Sequence, residues 1–249
     1  MIGVVGGGQL AMLLVEAGKE RDVDVVVQTA LKTDPAAKKT KQVILHDPTN
    51  AEGTKLLAEK SCFITFENEW VDIPSLVSLQ NKGVSFVPRL QSIRPLLNKI
   101  TQRELLNSLD IPCPDWIPIP SDESSEIDLP SDWDYPLMAK AAKGGYDGKG
   151  TKIIKNKKQL QELFEVETKE QWMLEKWVSF DKELSIVSSR DSKGIVRSLP
   201  IVETYQSNQV CDWVLAPAEI NHDVDLMLKN IVSSLLTELD YVGVIAIEF

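Results

Sequence analysis

The chain has 249 residues, 43% of them apolar and 26% charged, which is enough to bury the cores of about two soluble domains. Its 37 acidic residues outnumber 27 basic ones, and a net charge of −10 excludes a general surface for nucleic acid or anionic membrane. Three scattered cysteines and two distant histidines suggest neither a disulfide framework nor a zinc site, and no stretch reaches membrane-spanning length. The chain is expected to be cytoplasmic, and an anionic ligand would have to be met by local cations and glycine turns.

The opening alternates strand and helix. "IGVV" reads as a strand, Gln9 to about Gly18 as an amphipathic helix, "VDVVVQ" and "CFITF" as strands, "PSLVSLQNKG" as a helix and "VSFVP" as a further strand. This predicts a Rossmann-like α/β domain with a parallel sheet over residues 1–97. Helical spacing continues from Ser92 to Leu109, where "TQRE" at Thr101–Glu104 fits a capping box. Between Pro112 and Pro136 fall six prolines and seven acidic residues with no basic one, which reads as an extended connection and a solvated acidic excursion. "YPLMAK" and "TKII" read as two strands around the glycine-rich tip "GGYDGKG". Beyond it come a polar helix from about Lys157 to Glu165 and strands at "WMLEKWV", "ELSIVSS" and "IVRSLPIVE". A helix follows from about Asp223 to Leu239, with Val224, Leu228, Ile231, Leu235 and Leu239 on one face, and then a strand "YVGVIAIEF". Residues 98–249 are thereby predicted to form a second, α+β domain.

Three groups of residues could carry chemistry. In "GVVGGGQLA", Gly6, Gly8 and Ala11 fit a G-x-G-x-x-[GA] turn between strand and helix, which admits a phosphate or is a plain tight turn. A nicotinamide cofactor would also want an acid ending the second strand, where Gln28 and Thr29 stand. Glu67 and Glu69 in "TFENEWV" share a face if the strand continues, and could hold hydroxyls or an amine. The hairpin tip is no P-loop, because a strand and not a helix follows Lys149; its backbone N–H groups could fold over phosphates, or the hairpin could be merely flexible. Lys140 is a lone charge in the strand "PLMAKAA", and Glu248 ends an apolar strand, where an unpaired acid is costly unless it meets a metal or an active-site edge.

Taken in order, "GGGQL", "TFENEWV", "MAKAAKGGYDGKG", "LEKWVSFDKELS", "LAPAEI" and "YVGVIAIEF" resemble the ATP-grasp superfamily, and within it the biotin-independent carboxylases of purine biosynthesis. The resemblance runs from residue 2 to the last. It implies a substrate-binding domain at 1–97, an incomplete ATP-grasp domain at 98–249, and ATP-dependent carboxylation of 5-aminoimidazole ribonucleotide with bicarbonate. ATP and Mg2+ are the implied cofactors, a homodimer is allowed, and nucleic acid and membrane are not partners. Lys99 and Lys140 would contact ATP phosphates, and Gly144 to Gly150, with Gly145 and Gly148 among them, would close over these. Glu175, Lys176 and Val178 would line the adenine, Glu183 would hold the ribose and Glu248 the magnesium. Gln9, Glu67, Glu69, Tyr146, Asp147 and Lys149 would face the aminoimidazole ribonucleotide, the last three as catalytic groups. Gln206 stands where many members carry a histidine. The family continues beyond the Glu248 strand, so a chain ending there is expected to bind ATP weakly and turn over negligibly. The open alternatives are another ATP-grasp ligase, a nicotinamide oxidoreductase resting on the first glycine turn, and a nucleotide-binding remnant.

Overall fold

The computed structural model describes residues 1–120, 127–144, 150–166, 171–207 and 210–249. They form two compact units, one of Met1–Leu97 with Tyr241–Gly243, the other of Asn98–Asp240 with Val244–Phe249.

The first unit is a parallel α/β layer structure. Strands β1 (Ile2–Val5), β2 (Val25–Thr29), β3 (Val43–Leu45) and β4 (Phe63–Phe66) form a sheet in the order β3-β2-β1-β4. Helices α1 (Gln9–Lys19), α2 (Ala51–Ala58) and α3 (Ile73–Asn81) connect or follow them. β2 is buried along its whole length, the mark of a strand covered on both faces. Val4, Ala11, Val15, Val25, Val27 and Ala36 make one core cluster of this unit. The strand expected at "VSFVP" shrinks to a parallel bridge between Ile64 and Phe86. Ser85 accepts from the Ile64 amide and Val87 donates to the Ile64 carbonyl, and then Pro88, having no N–H, ends the pairing. A short helix α4 (Leu90–Ile93) and a 3-10 turn (Arg94–Leu96) complete this stretch.

The second unit opens with α5 (Lys99–Ser108). The expected capping box at Thr101 is not its start. Asn98 is extended and its side chain accepts from the amides of Ile100 and Thr101, so the cap falls three residues earlier. The "extended connection" after Pro112 contributes β5 (Trp116–Pro118) and the buried Trp133, so it is partly structural. Next come β6 (Leu137–Ala141), β7 (Thr151–Ile154), α6 (Lys157–Val166) and β8 (Trp172–Lys176), with an antiparallel sheet in the order β5-β8-β6-β7. One face carries the core, including Leu137, Ala139, Ala141, Ile154, Trp172 and Leu174, against Leu160 and Leu163 of α6.

A second sheet holds β9 (Glu183–Arg190), β10 (Val196–Ser198), β11 (Val202–Ser207), β12 (Val210–Leu215) and, after α7 (His222–Glu238), β13 (Gly243–Glu248). Its order is β10-β9-β11-β12, with β13 on β9. "IVRSLPIVE", expected as one strand, is two, because Pro200 cannot donate to the ladder between them. The buried stripe of α7 is Leu228, Val232, Leu235 and Leu236, turned from the expected face by about one residue. Among the described residues no helix is long and apolar enough to cross a membrane.

Candidate functional site

In the antiparallel sheet of the second unit the pleat sorts the side chains of β6 and β8 onto two faces. One face is the core described above. The other carries Met138 and Lys140 from β6 beside Glu175 and Met173 from β8, where Met138 pairs with Glu175 and Lys140 with Met173. Glu175 is only 3% exposed, and a carboxylate so buried needs counter-charge. It has two cations. Lys140 Nζ lies 2.6 Å from its Oε2, while Arg103 of α5 places Nη2 2.6 Å and Nε 2.7 Å from its Oε1. Both basic side chains keep a solvent-open part, with 26% of Lys140 and 17% of Arg103 exposed. The cluster carries two positive charges and one negative, so one unit of positive charge is left on a half-open face.

The helix that delivers Arg103 is tied to this sheet at its first residue. The Lys99 amide donates to the Ala142 carbonyl over 2.8 Å, just past the end of β6. Lys99 and Arg103 stand one helical turn apart, and Ile100 packs with Ala142, Met173 and Trp116. β6 and β7 close as the hairpin the sequence predicts, and the Ala141 amide donates to Gly150 over 2.8 Å at its mouth. Gly144 and Gly150 take φ values of +75° and +80°, in the left-handed region that glycine favours. Gly145, Tyr146, Asp147, Gly148 and Lys149 lie outside the described residues.

The strand alternation separates Glu175 from Lys176. The Lys176 ammonium sits 2.6 Å from Asp132, and that carboxylate raises its pKa while its own is lowered by the same contact. Its side chain is thus directed away from Lys140. Val178, 47% exposed, lies in the segment between β8 and β9 together with the exposed Trp177 and Phe180.

Glu183 and Glu248 are brought together on neighbouring strands. β9 and β13 exchange both amide hydrogen bonds between Leu184 and Phe249, at 2.9 and 2.8 Å, which sets the two acids diagonally. Burial, and then the Glu248 charge, push the Glu183 pKa up. Among the described residues no three metal-ligating side chains converge. Lys182, just before β9, pairs with Glu203 of β11 at 2.8 Å, and Gln206 falls at a register shift in the β11–β12 ladder, a bulge of the kind that re-aims side chains.

In the first unit the glycine turn follows the second of the two readings its spacing left open, a tight turn between strand and helix. The amides of Gly8 and Ala11 at the start of α1 donate to Glu67 Oε2 and Oε1, at 2.8 and 3.3 Å. A Cβ on Gly6 or Gly8 would come within 2.4 or 2.5 Å of that carboxylate, so the glycines admit an internal anion. Gln28, where a dinucleotide site wants an acid, is fully buried and bonded to Asp47, Asn50 and Thr54. Both observations count against a nicotinamide site. Glu67 and Glu69 do not share a strand face, because β4 ends at Phe66 and the chain turns through the Asn68 side chain, which accepts from Trp70. Glu69 is exposed, as is Gln9 at the start of α1.

Arg103 is the residue of this cluster that the sequence reading did not single out. Its only signal was a basic residue four after Lys99, the pattern of an ordinary solvated helix face.

The second unit thus brings together a lysine and an arginine on a buried glutamate, and, on another pair of strands, two carboxylates. The ATP-grasp domain family matches residues 104–249, and the chain belongs to that family. The ribonucleotide synthetase preATP-grasp domain matches residues 1–95. N5-carboxyaminoimidazole ribonucleotide synthase of Synechocystis sp. is 40% identical over 248 residues, all of this chain and 62% of the relative. Phosphoribosylaminoimidazole carboxylase of Saccharomyces cerevisiae is 31% identical, over 99% of this chain and 44% of its own length. Among solved structures, carboxyaminoimidazole ribonucleotide synthase from Aspergillus clavatus complexed with ATP superposes with a TM-score of 0.91 at 28% identity, covering 99% of this chain and 65% of that one. The same enzyme with ADP and 5-aminoimidazole ribonucleotide gives 0.88 at 27% identity, with the same coverage. The chain spans about three fifths of the length of its bacterial curated relatives.

Proposed function

We propose that this chain binds ATP on the Lys140–Glu175 face and serves the carboxylation of 5-aminoimidazole ribonucleotide with bicarbonate. The observation that carries the nucleotide half is the surplus positive charge there, in a chain of net charge −10. A phosphate group is the ligand such a spot favours. The substrate half is supported by the similarity to synthases along the whole chain.

In this reading ATP phosphorylates bicarbonate, and the resulting carboxyphosphate gives its carboxyl group to the ring amine with release of phosphate. The protein's part is placement and charge neutralisation, which suits lysines and glycine turns where a hydrolase would need a nucleophile and base. Lys140 and Lys99 hold phosphates, and Tyr146, Asp147 and Lys149 meet the ribonucleotide. The acids Glu183 and Glu248 fit a divalent cation, since two neighbouring carboxylates, one with its pKa raised by burial and then by the other's charge, offer the oxygen donors that Mg2+ takes. When bound, Mg2+ would neutralise phosphate charge, with Glu248 as its ligand, and Glu183 would hold the ribose hydroxyls.

The test is ADP release measured with bicarbonate or formate, each with and without 5-aminoimidazole ribonucleotide. Slow ADP release, raised only by bicarbonate and the ribonucleotide together, is expected. Stimulation by formate, or NADH binding in place of ATP binding, would overturn the reading.

A further inference from the structure

Glu175 is held from two sides in unequal fashion. Arg103 reaches it with two N–H groups on Oε1, a fixed and planar grip from a residue 17% exposed, whereas Lys140 offers one ammonium to Oε2 from a more open position. A buried carboxylate needs one counter-charge, and Arg103, the less exposed of the two cations, brings two donors to it where Lys140 brings one. The Lys140 charge is then not consumed by Glu175. It is aimed by Glu175 and remains available to an incoming anion.

We infer that Arg103 is a positioning residue for nucleotide binding: it neutralises Glu175 so that Glu175 can orient Lys140 without cancelling it. This rests on the ATP reading above. It adds a second helical residue to the site and a division of labour between two cations. Without Arg103, Lys140 would be the sole counter-ion of a buried carboxylate and would give up its attraction for phosphate.

A cycle of variants separates this from a direct contact. Arg103→Met is expected to raise the ATP dissociation constant about ten-fold or more, the size of one charged hydrogen bond. In a Glu175→Gln background the same change should alter it less than about three-fold, because no carboxylate then competes for Lys140. Arg103→Lys, which keeps the charge but only one of the two donors, should raise the dissociation constant less than Arg103→Met does, and it serves where Arg103→Met does not fold. Equal losses in both Glu175 backgrounds, or no loss on Arg103→Met, would overturn the inference.

Thermal melting, which needs no nucleotide, is the second arm. Lys140→Met should move the midpoint by about 2 °C at most, since Arg103 still neutralises Glu175, and Arg103→Met should move it more. The double variant should lose more than the sum, because Glu175 is then buried alone. A Lys140→Met loss as large as that of Arg103→Met would overturn the division of labour. If the unsubstituted chain bound no ATP, the proposed function would fail, while the melting cycle would still decide which cation neutralises Glu175.

Discussion

Glu67 shows how far a single side chain can redirect a motif. The turn from Gly6 to Ala11 has the spacing of a phosphate cradle, yet the amides at the helix start are taken by a carboxylate from the end of a neighbouring strand. That contact joins residues distant in sequence, so spacing alone could not reveal it. Glu67→Ala removes an anion from the N-terminus of α1, and by analogy with other helix caps should cost about 1 kcal/mol. Glu67→Gln should cost less, because an amide oxygen still accepts from Gly8. Denaturant unfolding would check both, and an Ala variant as stable as the parent would show the contact to be inconsequential. Lys140 was legible as a lone charge in an apolar strand. Its partner across the sheet was not, because pairing register decides which residue of β8 lies beside it.

At the scale of elements, the hairpin β6–β7, the helix α1 and the strand β13 follow from alternation and periodicity, the signals that survive in a single sequence. The elements missed are α2, of only two turns, the three-residue β3 and β5, too short to show an alternation, and β12, whose nearly continuous apolar run VCDWVL does not alternate. α5 starts where Asn98 caps it, and that cap fixes the turn from which Lys99 and Arg103 project. Asn98→Ala should therefore lower stability by about 1 kcal/mol, a fall of about 2–4 °C in the melting midpoint. The β9–β13 pair makes a second prediction. The Glu183 pKa is raised on folding, so its contribution is greatest at acid pH, where the carboxyl is protonated in both states, and is lost as pH rises through the folded value. At neutral pH burial and the Glu248 charge both work against the ionised Glu183, and a divalent cation bound there, as proposed above, would relieve this. Glu183→Gln should raise the melting midpoint in the absence of Mg2+, and Mg2+ should stabilise the parent more than the variant. Equal Mg2+ responses would remove Glu183 from the cation's surroundings.

For the whole molecule, the division at Leu97 is overlaid by a return of the chain, since Tyr241–Gly243 belong with the first unit. Sequence composition shows no such crossing, because three residues leave no compositional trace. Tyr241 is 6% exposed, and burial pushes its hydroxyl up to about 12 from an ordinary 10.0. Its stabilising share is complete below the unfolded value and disappears as pH climbs from about 10 towards 12, because the unfolded chain ionises first. Tyr241→Phe should flatten the alkaline limb of the stability profile, as followed by circular dichroism. An unchanged limb would place the alkaline sensitivity elsewhere. The net charge of −10 bears on the ligand as well: an incoming anion is drawn to a place where local cations exceed local acids, and the Arg103–Glu175–Lys140 cluster is such a place. The most direct test of that claim is a calorimetric titration of ATP into the chain and into Lys140→Met. The account predicts a saturable ATP site whose dissociation constant rises about ten-fold or more in the variant. The same affinity in both would contradict it.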